Sequence, residues 1–258
     1  MTLPVAHLPT PPERFAVIAD VHGNADALAA VLAEIDGEGL GQIVNLGDHL
    51  SGPLDPAGTA ELLMARPGMV CIRGNHDRYL LEDPMAQMSA TDRVSREAIG
   101  PAEMDWLAAL PVTVWLGDDV FACHARPARD DEYLMDVIDG DGVAERPTAA
   151  VAGGLEGIEA GLVLCGHSHL PRVMEVGDTL VVNPGSVGCP AYEDGAPAPH
   201  AVQNGAPEAR WAVVERAADG WAVELRQTAY DTARMVAMAH AYGRDDWARA
   251  VRTGWIRG

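Results

Sequence analysis

Polar side chains of the kinds that bind metal ions follow several apolar runs of this sequence. They are Asp20 and His22 after the run at 15–19, Asp48 after 43–46, Asn75 and His76 after 69–72, His124 after 120–123, and His167 and His169 after 162–165. Imidazole, carboxylate and amide groups suit manganese, iron, zinc, cobalt or nickel better than calcium. The sequence therefore indicates a metal site assembled from five segments that lie far apart in the chain.

The spacing within two of these segments supports a shared centre. Asp20 and His22 are two residues apart, and so are His167 and His169. In an extended chain such pairs point to the same side, so each pair could reach one ion. Glycines beside the polar residues permit close backbone approach and positive φ; they are Gly23, Gly47, Gly74 and Gly166. A lone histidine at a strand end is usually structural, but five of the nine histidines are among these residues.

The first half of the chain alternates apolar runs with amphipathic segments. The runs at 15–19, 43–46 and 69–72 read as buried strands. A helix with Leu28, Val31, Leu32 and Ile35 on one face separates the first two, and Asp55-Pro56 begins a second helix. This β-α-β-α-β order predicts a parallel sheet, and polar residues beyond the carboxyl ends of such strands gather at one edge.

The second half is rich in predicted hairpins. The paired runs are 112–116 with 120–123, 172–176 with 179–183, and 211–215 with 221–225, and a further buried run lies at 162–165. Short turns with glycine or aspartate join each pair. Together with the parallel first half, this predicts an α/β fold in which two mixed β-sheets pack face to face with helices outside, a four-layer α/β/β/α sandwich.

Less regular segments complete the organisation. The proline-rich residues 1–12 are predicted to be a flexible tail, and residues 13–258 a single domain. A helical insert is expected at about 84–109, with a break at Gly100-Pro101, and a long loop at 194–208. Two final helices are expected near 231–242 and 245–252.

Composition narrows the classes of partner and compartment. The chain of 258 residues has 38 acidic residues against 18 basic ones, all arginine, and a formal net charge of −20. This balance argues against binding of long nucleic acid, although metal ions can still attract a small phosphorylated substrate. The four cysteines are widely spaced and read as free thiols. No secretion signal or apolar run of about 18 residues is evident, so a cytoplasmic protein with no membrane partner is expected.

Taken in order, the motifs D-x-H, G-D, G-N-H-D, H and G-H-x-H resemble those of the calcineurin-like metallophosphoesterase superfamily. The resemblance runs from Asp20 to about Arg216. The segments "ADVHGN", "NPGSVG" and "CPAYEDGAPAPH" look most like a bacterial branch of small phosphoesterases. Serine/threonine protein phosphatases carry Asp-Arg-Gly shortly after the G-D motif, whereas this chain has "GDHLSGP". That difference argues against protein dephosphorylation.

The resemblance implies a dinuclear centre that holds two divalent ions. Manganese is the first candidate, and iron, zinc, nickel and cobalt are the alternatives. One ion would be held by Asp20, His22, Asp48 and His169, and the other by Asp48, Asn75, His124 and His167. Asp48 would bridge the two ions. Such ions, about 3.5–4 Å apart, can clamp the attacking and leaving oxygens of an in-line displacement, with a metal-bridging hydroxide as the nucleophile. His76 would act catalytically, by protonating the leaving oxygen or binding a phosphoryl oxygen.

Neighbouring polar residues are open to more than one interpretation. His49 is expected to be structural. Asp77 could orient His76 or cap the helix that follows, and Asn24 fits a helix N-cap. Arg126 could bind a phosphate or form a surface salt bridge. Tyr192 and His200 could line the substrate pocket.

These features predict a metal-dependent hydrolase of phosphate esters that acts on a small phosphorylated substrate. The preferred prediction is a phosphodiesterase or a nucleotide phosphatase. The alternatives are a dinucleotide pyrophosphohydrolase and a metal-bound binding or regulatory protein without turnover. The complete motif set, including His76, argues against the last of these.

Overall fold

The computed structural model describes residues 5–257. The strands are β1 Val5–Leu8, β2 Arg14–Ile18, β3 Ile43–Asn45, β4 Val70–Cys71, β5 Thr113–Leu116, β6 Val120–Cys123, β7 Asp136–Asp139, β8 Gly142–Glu145, β9 Leu162–Leu164, β10 Pro171–Val176, β11 Thr179–Pro184, β12 Ala191–Asp194, β13 His200–Gln203, β14 Ala209–Ala217 and β15 Gly220–Thr228. The helices are α1 Ala25–Gly37, α2 Pro56–Met64, α3 Asn75–Glu82, α4 Ala90–Ala98, α5 Pro101–Ala109, α6 Thr148–Gly154, α7 Ala233–Ala241 and α8 Asp245–Thr253.

Two mixed sheets carry the fold. The five-stranded sheet has the order β15-β14-β2-β3-β4, in which β2, β3 and β4 run parallel and β14 is antiparallel to β2. The six-stranded sheet has the order β1-β5-β6-β9-β11-β10, with β9 parallel to both β6 and β11. The carboxyl ends of β2, β3, β4, β6 and β9 therefore supply all the strand-end residues singled out in the sequence.

Three apolar layers hold the sheets and helices together. Phe15 and Val44 of the first sheet lie in one buried cluster with Val114 and Leu164 of the second. On the outer face of the five-stranded sheet, the apolar sides of α1 and α2 form another cluster. Val151 of α6 joins a third cluster on the outer face of the six-stranded sheet. The predicted four-layer α/β/β/α sandwich is therefore confirmed.

Several local predictions differ from the structure. Residues 5–8 form β1, which pairs in parallel with β5, instead of the predicted flexible tail; residues 1–4 lie outside the described residues. The apolar Val5 and Leu8 add an edge strand, and the neighbouring Pro9 lies outside it. The predicted loop at 194–208 contains β13, which pairs with β12 as a hairpin.

The predicted helices agree with the structure. The insert contains α4 and α5, separated near Gly100 as expected, and α3 precedes it directly after the G-N-H-D motif. Both C-terminal helices are present. Within residues 5–257, no helix combines the length and the apolar character that a bilayer crossing requires.

The layer between the sheets should dominate stability. Phe15 is fully buried there and meets the Trp221 ring edge-on at 5.8 Å between centroids. We expect Phe15→Ala to lower the free energy of unfolding by about 3–5 kcal/mol, because it removes a buried ring and leaves a cavity. Urea titration followed by tryptophan fluorescence would measure the loss. Val173→Ala, at a site 40% exposed, is the control and should change stability little; equal effects would contradict the packing described.

Candidate metal centre

The strand-end residues converge on one site between the two sheets. Potential ligand atoms of Asp20, His22 and His169 lie within 4.8 Å of one another. A second group of the same kind contains Asp48, His124 and His167. The two groups interleave, because Asp48 Oδ2 lies 3.6 Å from His22 Nε2 and 3.4 Å from His124 Nε2. Asp48 therefore stands between the groups, where its carboxylate can face both.

Left-handed backbone brings these side chains together. In the described part of the chain, the non-glycine residues with positive φ are Asp20 (54°), His22 (50°), Asp48 (56°), His167 (69°) and His169 (60°). The paired residues Asp20 and His22 thus converge through tight turns, and the extended backbone assumed in the sequence argument is wrong. Non-glycine residues in this region cost of order 1–3 kcal/mol each and cluster at functional sites.

Glycine makes the close approach of the loops possible. A Cβ atom on Gly74 would lie 2.2 Å from Asp48 Oδ1, and one on Gly47 would lie 2.6 Å from the Gly74 nitrogen. Gly47 also has a φ of +104°. The loops after β3 and β4 can therefore meet only because neither residue carries a side chain.

Backbone carbonyls orient three of the imidazoles. Nδ1 donates to a carbonyl oxygen at 2.7 Å in each case: His22 to Ser51, His124 to Leu46, and His169 to Cys189. A carbonyl only accepts, so the proton is on Nδ1 and Nε2 points inward. Outer hydrogen bonds of this kind fix histidine tautomers in metal sites.

The inward nitrogens fit a bound cation. His22 Nε2 and His169 Nε2 are 3.1 Å apart. Burial lowers the pKa of His22 to about 4 and that of His169 well below its usual value, so both rings are neutral near pH 7. Two neutral Nε2 lone pairs facing each other repel, and a shared cation would turn this repulsion into coordination. Residues of this donor set therefore fit a metal ion.

The pKa values of other buried groups also indicate a site for positive charge. Burial, together with the negative charge of Asp48, raises the pKa of Asp20 to about 8, although His124 and the His167 N–H favour its ionised form. Burial also opposes protonation of His124, but Asp48 and Asp20 outweigh it and raise the pKa of His124 to about 10. The site therefore stabilises positive charge. Asn75, at the start of α3, adds its Oδ1 at 2.9 Å from His124 Nε2.

His76 lies beside this centre and is held by a residue that the sequence did not reveal. Its Nδ1 is 2.8 Å from Asp92 Oδ1, and its backbone N–H donates to Asp48 Oδ1 at 2.9 Å. Asp92 also accepts hydrogen bonds from Ser51 Oγ and Ser89 Oγ at 2.5 and 2.6 Å. Burial opposes protonation of His76, yet Asp48 and Asp92 raise its pKa to about 9. Its side chain keeps 30% exposure toward the cavity.

Asp77 and His49 form a separate buried pair. Asp77 Oδ2 accepts from Gly74 N–H at 2.9 Å and so caps α3, while His49 Nδ1 lies 2.7 Å from the same carboxylate. Asp77 also accepts from the backbone N–H of Asp48 at 2.9 Å. The capping interpretation of Asp77 is confirmed, and the alternative that it orients His76 is wrong. Asn24 caps α1 as expected, accepting from the Ala27 N–H.

A cavity of about 970 Å³ opens over the centre. Tyr192 lines it, with its ring 4.6 Å from that of His169. Arg126 lines it as well and pairs with Glu132 at 2.8 Å. His200 is buried behind the wall, where its Nε2 is 2.7 Å from Tyr133 Oη. The expectation that His200 lines the cavity is wrong, because the β12–β13 hairpin turns its ring inward.

Comparison with known proteins adds the family to this geometry. The family model described as "Calcineurin-like phosphoesterase superfamily domain" matches residues 14–202. The chain belongs to this superfamily. It is therefore a metallophosphoesterase, a metal-dependent hydrolase of phosphate esters.

Individual relatives match this chain at low sequence identity. The uncharacterized protein MJ0912 of Methanocaldococcus jannaschii is 28% identical over 206 residues, or 68% of this chain and 76% of that protein. A metallophosphoesterase structure from Sphaerobacter thermophilus gives a TM-score of 0.72 at 22% identity, covering 94% of this chain and 99% of that one. The hypothetical protein PH1004 from Pyrococcus horikoshii OT3 gives 0.70 at 19%, covering 94% and 98%.

The position of Asp48 between the two groups predicts unequal losses of metal. Protein reloaded with manganese should approach two ions per chain by elemental analysis. His22→Ala should lose about one ion, and Asp48→Ala should lose both, because the Asp48 carboxylate faces both groups. His240→Ala, an exposed histidine paired with Asp245, is the control and should keep both ions. A stoichiometry below one at saturating manganese, or equal mild losses, would count against this arrangement.

The contact between Gly74 and Asp48 makes a second prediction. Gly74→Ala should displace the Asp48 carboxylate and reduce both metal content and activity at least about tenfold, since one misplaced ligand weakens a site by this order. Gly142→Ala, where a Cβ meets nothing closer than 3.9 Å, should behave like the parent. Full metal binding by the Gly74 variant, measured by calorimetry, would show that the close approach is not required.

Proposed function

We propose that this metallophosphoesterase hydrolyses phosphodiesters or nucleotide phosphate esters and uses two bound divalent ions, of which manganese is the preferred candidate. The single observation that carries the proposal is the place of His76. It lies at the edge of the cavity, adjoins Asp48 through its own backbone N–H, and is anchored by Asp92. A proton donor held beside a metal-binding carboxylate is what cleavage of a phosphate ester requires.

The residues that would hold the ions fall into two sets that share Asp48. The first is Asp20, His22, Asp48 and His169, and the second is Asp48, Asn75, His124 and His167. The bound ions would polarise the phosphoryl group and activate water. Nitrogen and oxygen donors without thiolate suit manganese, and among the described residues no cysteine joins either group.

His76 would move one proton during the reaction. Asp92 occupies its Nδ1, so Nε2 is the ring nitrogen available to the substrate. In its protonated form, His76 donates the Nε2 proton to the leaving alkoxide oxygen as the phosphorus–oxygen bond breaks. The ring is left neutral, Asp92 keeps its orientation, and solvent restores the proton.

A dinucleotide pyrophosphohydrolase is the second candidate, and the size of the cavity favours it. At about 970 Å³, the cavity far exceeds the room that one phosphoryl group needs. A candidate diadenosine tetraphosphatase of known structure shares the fold, with a TM-score of 0.57 at 20% identity over 88% of this chain and 99% of that one. A non-catalytic binding role fits less well, because it gives no reason for the His76–Asp92 pair. With a net charge of −20, the substrate is proposed to be small, not long nucleic acid.

The role of His76 can be tested with a series of leaving groups. We expect His76→Ala to keep its metals and to lose about 10²–10⁴-fold in kcat/KM on alkyl or nucleoside esters. The loss on nitrophenyl esters should be distinctly smaller, because nitrophenolate leaves without a proton. Asp92→Asn should show the same dependence on leaving group with a smaller loss, since the imidazole remains but its partner is neutral.

Metal content and a control variant separate the alternatives. Equal losses across the series with metals intact would assign His76 to phosphoryl binding. A fall in metal content would make it a ligand. His240→Ala should match the parent throughout. Parent enzyme that is fully loaded with metal yet hydrolyses no ester in the series would overturn the proposed function itself.

A further inference from the structure

Four arginines line the cavity, and they differ in how their charge is balanced. They are Arg126, Arg129, Arg146 and Arg244. Three of them pair with carboxylates: Arg126 with Glu132 at 2.8 Å, Arg129 with Asp131 at 3.1 Å and Arg244 with Asp246 at 2.6 Å. Arg146 forms no ion pair with any residue of the 5–257 range. Among the four arginines of the cavity wall, Arg146 is therefore the one that no described carboxylate contacts directly.

Arg146 is nevertheless held firmly. It follows β8, and its backbone N–H donates to the Met135 carbonyl at 2.8 Å. Nη2 donates to the carbonyls of Tyr133 and Asp136 at 3.2 and 2.8 Å. These neutral acceptors fix the guanidinium without cancelling its charge. Nη1 has no hydrogen-bond partner among the described residues, and Nε is buried without one.

The anchoring connects Arg146 to the metal centre. The Tyr133 ring lies 5.1 Å from the ring of His167, between centroids. Tyr133 Oη is also 2.6 Å from Tyr192 Oη, and Tyr192 contacts His169. Arg146 is thus placed by the same residues that cover the G-H-S-H loop, and it faces the same cavity as the metal ligands.

A second guanidinium, that of Arg126, lines the same cavity as Arg146. Burial and Arg126 lower the pKa of Arg146, and the carboxylates of Asp136 and Glu132 offset this only in part. The partner of Arg126 is Glu132, whose side chain is 41% exposed and can be displaced at little cost. Guanidinium groups suit phosphate, because their planar fork of N–H donors can make bidentate hydrogen bonds to its oxygens.

From these contacts we propose that Arg146, assisted by Arg126, is a second anion subsite, which binds a second phosphoryl group in the non-reacting part of the substrate. The inference rests on the proposed function, because the reacting phosphoryl group occupies the metal centre of the same cavity. It names the substrate class as phosphate esters with two phosphoryl groups. Esters with a single phosphoryl group would leave Arg146 unpaired.

Binding of non-hydrolysable ligands tests the subsite without relying on turnover. The probes are α,ω-alkane bisphosphonates of increasing chain length, each compared with the alkyl monophosphonate of equal length. Calorimetry uses the full chain loaded with manganese. For the length that spans the two sites, we expect the bisphosphonate to bind the parent about tenfold or more tightly than its monophosphonate, the order expected of a charged hydrogen bond.

Substitutions show which residue receives the second group. Arg146→Gln should abolish the preference for the bisphosphonate while monophosphonate affinity stays within about twofold, which shows that the fold is intact. Arg146→Lys should retain part of the preference, because it keeps the charge but loses the fork. Arg129→Gln is the matched control on the same wall; its side chain is 58% exposed and ion-paired, and it should keep the preference.

Two outcomes would contradict the proposed subsite. The parent binds no bisphosphonate more tightly than the monophosphonate of equal length, or Arg146→Gln keeps the preference for the bisphosphonate. Failure of the proposed function looks different, because it is a lack of ester hydrolysis by the metal-loaded parent. A parent that prefers one bisphosphonate but hydrolyses no ester would retain the anion subsite and lose the catalytic assignment.

Discussion

Two buried carboxylates that need a positive charge between them determine how this site is built. Asp20 and Asp48 are almost fully excluded from solvent and lie at the carboxyl ends of the adjacent parallel strands β2 and β3. An unpaired buried charge is costly, so such carboxylates persist only with compensating cations or hydrogen bonds. The surrounding imidazoles present nitrogen lone pairs, as His22 and His169 show, and these suit a metal ion. The same two carboxylates raise the pKa of His124 to about 10 against the effect of burial.

The turns that deliver these residues are strained, and other parts of the fold must offset that strain. Backbone hydrogen bonds join the loops to one another: Asp20 N–H donates to the Gly47 carbonyl at 3.0 Å, and Gly166 N–H to the His124 carbonyl at 2.7 Å. Each of these bonds links loops that follow different strands. The packed layer between the two sheets keeps the strand ends in register beneath them. The left-handed residues are therefore held by hydrogen bonds between loops and by the packing of the two sheets beneath them.

The sequence revealed the parts of the site that follow strands, because an apolar run and a polar end can be recognised locally. Asp92 was not identified, because it lies 16 residues from His76 within the predicted helical insert, and no local pattern connects the two. Arg146 was not identified from the sequence, because the segment between His124 and β9 shows no regular pattern. In the structure that segment contains the β7–β8 hairpin. Proline content obscured β1, and His200 was misplaced because no local signal shows which way a hairpin side chain turns.

The C-terminal helices show that the site extends beyond the matched family domain. They lie after residue 202, yet Trp247 of α8 reaches the ring of His22 at 6.0 Å, and Arg244 Nη1 donates to Thr91 Oγ1 at 2.5 Å. Thr91 precedes Asp92 on α4, and Asp92 holds His76. The hydrogen bond from Arg244 therefore links the N-terminus of α8 to the helix that carries Asp92. The strand ends place the candidate metal ligands, whereas α3 and α4 place His76 and Asp92, and the segment after β8 places Arg146.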